Sequence, residues 1–157
     1  VGRGLERGEG HGLGPARARR GLGRDVGGGG PANVSALDAV DLARRLSAGL
    51  KEFENRLQLP YCPADREHTF MLYGLVLKGQ DKTGLVNFLE DGGIETRDMM
   101  PLLNQPIYTR LFGDMEARFP AARELNRSGF YIGCHQYLTA EDVDYVVEQF
   151  RAYFRAH

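Results

Sequence analysis

The first thirty residues confine any compact fold to the rest of the chain. Residues 1–30 hold twelve of the chain's 21 glycines and six arginines, end in Gly27-Gly28-Gly29-Gly30, lack Phe, Tyr and Trp, and contain only five residues from the set Val and Leu. Ordering a residue costs about 1–2 kcal/mol of backbone entropy, and this segment has almost no apolar surface to bury against that cost. Disorder is therefore expected up to residue 31. A nucleic-acid-binding arm around Arg17, Arg19 and Arg20 is a weaker reading, because no aromatic residues are interleaved for base stacking and the charge excess is only three. A phosphate cradle is weaker still, with no β-run before the glycines and no Gly-Lys-Ser/Thr after them. Out-of-frame translation of GC-rich coding DNA also yields Gly, Arg and Ala in this manner.

The remainder suits one domain. The formal charge is −1 overall, and removing the six basic and three acidic residues of the first thirty leaves 14 basic against 18 acidic, a balance of −4. A body of that sign lacks the basic face that nucleic acid requires, so no nucleic-acid partner is expected. Cys62 and Cys134 stand far apart, and apart from the neighbouring Cys134-His135 neither has a Cys or His at metal-ligand spacing. Neither a structural metal nor a disulfide is expected. No apolar run is long enough for a signal peptide or a membrane span, which predicts a cytoplasmic, reduced protein without a membrane partner.

Apolar positions Leu37, Val40, Leu46, Leu50, Phe53 and Leu57 recur mostly at separations of three or four, predicting an amphipathic helix from Ser35 to Leu57, closed by Pro60 and Pro63. Thr69–Lys78 is apolar on both faces and reads as a buried strand. Asp81 and Thr83 can cap a helix carrying Leu85, Val86, Phe88 and Leu89, and Gly92-Gly93 can end it in the left-handed conformation. Ile94–Arg97 is then a short strand whose tight reversal brings Thr96 and Arg97 to an edge rather than the core. Short helical pieces come next at Ile107–Phe112 and Pro120–Arg127, then a third strand at Phe130–Ile132. Thr139 caps a last helix with Val143, Val146, Val147, Phe150 and Phe154 as its inward stripe. The expected fold class is α+β, a small three-stranded sheet covered by helices on one side.

Five motifs succeed one another at fixed intervals: Pro63-Ala64-Asp65-x-Glu67-His68, Gly93-Ile94-Glu95-Thr96-Arg97, Pro101-Leu102-Leu103-Asn104-Gln105-Pro106-Ile107-Tyr108, Gly133-Cys134-His135-Gln136 and Leu138-Thr139-x-Glu141-Asp142-Val143-Asp144-Tyr145-Val146. Their order resembles the carboxy-terminal small domain of the DegT/DnrJ/EryC1/StrS family of pyridoxal-phosphate (PLP)-dependent aminotransferases, over roughly residues 32–157. That resemblance implies a linking helix over 32–60 and a small domain over 61–157 like that of fold-type I PLP-dependent transferases. It also implies substrates of the nucleotide-linked keto-sugar class, an amino-acid donor and dimeric enzymes. A chain of 157 residues is too short for such an enzyme's large and small domains together.

Arg97 is the leading candidate for substrate contact, since a guanidinium at a strand end can grip a phosphate or carboxylate through paired donors. An ion pair with Glu95 or Asp98 is the simpler alternative. In the resembled family this strand end faces the active-site mouth. Gln105 and Tyr108 lie in the family's Gln-Pro-x-Tyr, where Asn104 and Gln105 could read hydroxyls; the competing reading is a turn with Tyr108 packed on the sheet. His135 is a structural turn residue or a cleft-facing donor, in a motif that departs from the family's commoner form. The resemblance places His68 in the interdomain hinge, where no chemistry is expected of it.

PLP is held as a Schiff base by a lysine, with an Asp partner and a phosphate cup. Only Lys51, Lys78 and Lys82 are present, all expected in solvated settings matching no such motif. No cofactor is expected on this chain alone, and no Ser/His/Asp or Cys/His arrangement suggests another catalyst. The expectation is the carboxy-terminal part of a sugar aminotransferase-like enzyme, supplying lid and substrate wall and inactive alone. Dehydratases of the same family, with histidine for the Schiff-base lysine, also carry Gly-Ile-x-Thr-Arg. A stand-alone sugar-nucleotide-binding or interaction module is the alternative, favoured if Leu37, Val40, Leu46 and Phe53 fold back onto the sheet rather than staying exposed.

Overall fold

The computed structural model describes residues 38–157; the disordered segment expected over 1–31 and the start expected for the first helix lie outside them. Helix α1 (Ala39–Leu50) opens on Asp38, whose carboxylate accepts the Asp41 N–H at 2.8 Å. Only Leu42, Ala43, Leu46 and Leu50 of this helix are buried, and they face α5 (Ala140–Ala156). That is the amphipathic stripe expected, displaced at its start from Val40 to Leu42 and Ala43.

The helix does not run to Leu57. It ends at Leu50 and tightens into a 3-10 turn over Lys51–Phe53, after which Leu57 and Gln58 form strand β1, paired antiparallel with Leu77 and Val76. Phe53 and Leu57 have helical spacing, but a short apolar run is ambiguous between the two periods, and the sheet captured Leu57, which is completely buried. The sheet accordingly has four strands rather than three, in the order β1-β2-β4-β3. Its other members are β2 (Leu72–Leu77), β3 (Thr96–Asp98) and β4 (Gly129–Gly133), and every pairing is antiparallel.

Strand β2 is not buried on both faces. Tyr73, Leu75 and Leu77 enter the core while Leu72, Gly74 and Val76 are only partly covered, the alternation of a sheet with one solvated face. The core lies on the other side, where α1, α5 and α2 (Thr83–Asp91) cover Tyr73, Leu75, Phe130 and Ile132. Across the outer face Met99 passes close over β2 and β4. A Cβ on Gly74 would lie 2.7 Å from Met99 Cε, and one on Gly129 would lie 2.5 Å from the Leu125 carbonyl oxygen, so both positions exclude larger residues.

The glycine end of α2 and the Thr139 cap formed as expected, whereas α2 starts after Lys82 without a side-chain cap and Thr83 is its first residue, so Asp81 braces only the turn before it. Asp81 accepts the Thr83 N–H at 2.8 Å. At the end of α2, Gly93 takes φ +81°, its N–H bonds to Glu90 O, and the Ile94 N–H reaches back to Leu89 O at 2.9 Å, with Ile94 and Leu89 both buried. This pairing satisfies the terminal carbonyls and packs the residue after the turn against the helix. Thr139 and Asp142 cap α5 reciprocally. Helices α1 and α5 are tied at their surface by Arg45 on Asp144, through contacts of 3.1 and 2.6 Å, and Arg151 of α5 holds Glu52 of the 3-10 turn that follows α1.

Lys82 is not solvated. Its side chain is 12% exposed, and Nζ bonds to Asn126 O and Gly129 O at 2.9 Å and to Asp98 Oδ1 at 2.8 Å. One ammonium thus joins the end of α4 (Pro120–Ser128), the start of β4 and the end of β3. Its three donors have three acceptors, so burial leaves no ammonium hydrogen without a partner.

Candidate functional site

Strand β3, at one edge of the sheet, and the three residues leading into it carry the Gly-Ile-Glu-Thr-Arg motif. Side chains alternate along it. Ile94 and Thr96 turn inward, Thr96 being 7% exposed and donating to Glu90 Oε1 at 2.6 Å, while Glu95 and Arg97 share the outer face. Thr96 lies on the edge strand, as expected, but its side chain belongs to the core rather than outside it, because the inner face of β3 rests on α2.

Arg97 stands directly across from Tyr131 of β4, which in turn pairs with Gly74 of β2. It lines a groove of about 950 Å³ together with Glu95, Tyr131, Gly133, His135 and Tyr137. The Gly92-Gly93 turn borders the same groove, and the Tyr145 hydroxyl on α5 donates to Gly92 O at 2.8 Å, fixing that turn to the last helix. Arg97 Nη2 is paired with Glu95 Oε1, both side chains well exposed. His135 is exposed, its Nδ1 accepts the Tyr137 N–H at 3.3 Å, and its carbonyl accepts the Leu138 N–H. With Nδ1 an acceptor, the proton of the neutral ring sits on Nε2. A Cβ on Gly133 would only touch the His135 ring at 3.5 Å, so that glycine leaves open floor between Tyr131 and His135.

Two of the four expected site residues, Arg97 and His135, meet in this groove; Gln105 and Tyr108 do not line it. They sit on helix α3 (Pro106–Phe112) and its entry, where no residue is buried. Tyr108 stacks on Phe112 at 6.3 Å instead of packing on the sheet, and Asn104 is engaged by Glu116 at 2.8 Å. The segment around α3 exposes Met100, Leu102, Ile107, Leu111, Phe112 and Phe119. Among the described residues, exposed apolar side chains concentrate in this segment, whereas the stripe of α1 is covered by α5.

Tyr131, Tyr137 and Tyr145 were missed from the sequence. Strand alternation could have found Tyr131, one position from the buried Phe130 and Ile132; nothing local marks the other two.

A second cleft of about 630 Å³ lies between α1 and the loop carrying Cys62, Arg66 and His68. Its cations are already neutralised, Arg44 by Asp41 and Arg66 by Asp65. His68 Nδ1 accepts the Phe70 N–H at 2.8 Å. Under the sheet, burial pushes the Tyr73 hydroxyl up to about 12 despite its 2.8 Å bond to Ser47, and raises the Cys134 thiol. No group of three or more metal-ligating side chains occurs among the described residues, and no helix among them is long and apolar enough to cross a membrane.

The residues present do not fit a PLP anchor. No lysine lines the groove. The Lys82 ammonium is fully engaged, Lys78 Nζ bonds to Glu54 O at 2.6 Å, and Lys51 is exposed at the end of α1.

The chain is 27% identical over 114 residues to the lipopolysaccharide biosynthesis protein RfbH of Salmonella typhimurium, covering 69% of this chain and 26% of that protein. Similar solved structures include the aminotransferase TlmJ of Streptoalloteichus hindustanus, at TM-score 0.64 and 23% identity over 75% of this chain and 31% of that one. Another is Spr1654 of Streptococcus pneumoniae in its PLP form, at TM-score 0.65 and 23% identity over 73% of this chain and 30% of that one. Helicobacter pylori PseC, an aminotransferase involved in pseudoaminic acid biosynthesis, gives TM-score 0.67 at 16% identity over 76% of this chain and 32% of that one. The chain thus spans between a quarter and a third of the length of these relatives. Residues 39–151 match the model of the DegT/DnrJ/EryC1/StrS aminotransferase family, and the chain belongs to that family.

Proposed function

We propose that the described residues are the carboxy-terminal small domain of a PLP-dependent aminotransferase acting on nucleotide-linked keto sugars, and that the Arg97 groove is a wall of its substrate site. The observation that carries this reading is the convergence of Arg97, His135, Tyr131 and Tyr137 on one groove at the sheet edge. A guanidinium fork suits a phosphate or carboxylate, and tyrosine faces suit a base or sugar ring. Cofactor anchoring and transfer of the amino group from an amino-acid donor then belong to residues outside this chain, because none of its lysines is placed to hold the cofactor. Alone, the domain contributes lid and wall without turnover.

The exposed apolar face around α3 supports the same reading, since a surface of this kind is suited to cover by a larger body, a cofactor domain or a dimer partner. Gln105 and Tyr108 would then meet substrate only once that face is covered. The folding of the α1 stripe onto α5 favours a second reading, a self-contained sugar-nucleotide-binding module, in which the same groove binds without chemistry.

The test is titration of the 157-residue chain with UDP-glucose, tracked by amide shifts at Gly93 and Gly133. Binding through Arg97 predicts saturable shifts and a loss of about tenfold or more in affinity in Arg97→Ala, the scale of charge-assisted hydrogen bonds. No shift at millimolar ligand, or equal affinity in the variant, would sink both readings of the groove.

A further inference from the structure

We propose that Glu95 is a specificity residue of the groove: its carboxylate occupies the Arg97 guanidinium in the absence of ligand, and an anionic ligand binds by displacing it. The inference rests on the reading of Arg97 as a substrate-side residue and adds to it a competitor two residues earlier, on the segment leading into β3. Glu95 and Arg97 are two residues apart on an extended segment, so both project from the outer face into the same groove. Their ion pair links Arg97 Nη2 to Glu95 Oε1.

Strand β3 itself has little freedom to move away. Thr96 between the two residues is buried and bonded to Glu90, Ile94 is held by the turn that ends α2, and Asp98 is tied to Lys82. Exchange must therefore occur by rotation of the two side chains, whose exposure of 66% for Arg97 and 75% for Glu95 leaves them room to do so.

An exposed pair of this kind contributes little on its own, so a ligand that engages the guanidinium fork with two oxygens can displace it at small cost. A phosphate or carboxylate that enters while Glu95 stays in place meets a like charge a few ångströms away. Glu95 consequently lowers the affinity of every anion and discriminates against those that contact Arg97 through a single oxygen. The other acid bordering the groove, Asp142, is committed to the Thr139 cap and does not compete. His135 is the other basic side chain in the groove and is not bonded to Glu95.

The experiment compares the wild-type chain, Glu95→Gln and Arg97→Gln, each titrated with uridine diphosphate at constant ionic strength, reading the Arg97 Nε–Hε resonance and the Gly133 amide. Glu95→Gln should bind about three- to tenfold more tightly than wild type, from the released ion pair and the lost repulsion. Arg97→Gln should bind at least tenfold more weakly than wild type. A gain in affinity is a readout that general disruption of the groove would not produce. Unchanged or weaker binding in Glu95→Gln, with the wild type still binding through Arg97, would overturn the role of Glu95 and leave the substrate groove standing. Absence of binding in both wild type and Glu95→Gln would remove both.

Discussion

Lys82 offers the sharpest test of how this domain holds its site. Replacing it with methionine keeps most of the side-chain volume and removes the ammonium that bonds to Asn126 O, Gly129 O and Asp98 Oδ1. A hydrogen bond to a charged group contributes about 1.5–3 kcal/mol, so the two carbonyl bonds together set an upper range of roughly 3–6 kcal/mol. Water reaches part of the cluster, since the lysine is 12% and Asp98 63% exposed, and the methionine gains apolar burial. The expected net loss is about 2–4 kcal/mol. Urea unfolding of Lys82→Met checks it, and a thermal melt should show a fall in Tm of roughly 6–15 °C for a body of this size. Asp98→Asn, which touches only the exposed partner, should cost no more than about 1 kcal/mol. A loss below about 1 kcal/mol in Lys82→Met, or equal losses in the two variants, would refute the assignment of the stabilisation to the buried carbonyls. Because the cluster ends at Asp98, next to Arg97, the loosened variant should also broaden the Arg97 resonances.

Two further expectations concern the core. Helix α1 approaches α5 so closely that a Cβ on Gly49 would lie 2.5 Å from Val147 Cγ2; Gly49→Ala should destabilise by about 1–3 kcal/mol despite its better helix propensity, and Val147→Ala in the same chain should recover part of the loss, as read by denaturant midpoints. The Tyr73 hydroxyl, raised to about 12 first by burial, stays neutral in the fold, so its contribution is fully present below the ordinary phenol value near 10 and is lost as pH rises through about 12. Ultraviolet titration should show one of the seven phenols ionising with that delay, and Tyr73→Phe should remove the delayed step while softening the alkaline loss of stability.

The site was legible where its determinants are local. Arg97 stands out because Gly92-Gly93 before it and Asp98 and Pro101 after it confine it to a short segment, and His135 because it follows a strand and precedes a capped helix. Tyr137 and Tyr145 were not legible, since one enters the groove from a turn and the other from α5, 53 residues from the glycine it holds. Lys82 reads as a solvated turn residue from its neighbours alone; its acceptors at Asn126 and Gly129 are 44 and 47 residues away.

The amino-acid sequence by itself determined the order of the five α-helices and of three of the four strands, the Thr139 cap and the glycine-ended turn of α2. Each depends on hydrophobic period or on a bond between residues a few positions apart. Only the tertiary structure decided that Leu57 leaves the helix for a fourth strand, that Thr96 faces inward while Glu95 and Arg97 face outward, and that the uncovered apolar surface lies around α3 rather than on α1. Those outcomes turn on which distant partner wins a segment, and burial against that partner outweighs a local preference of about a few tenths of a kcal/mol.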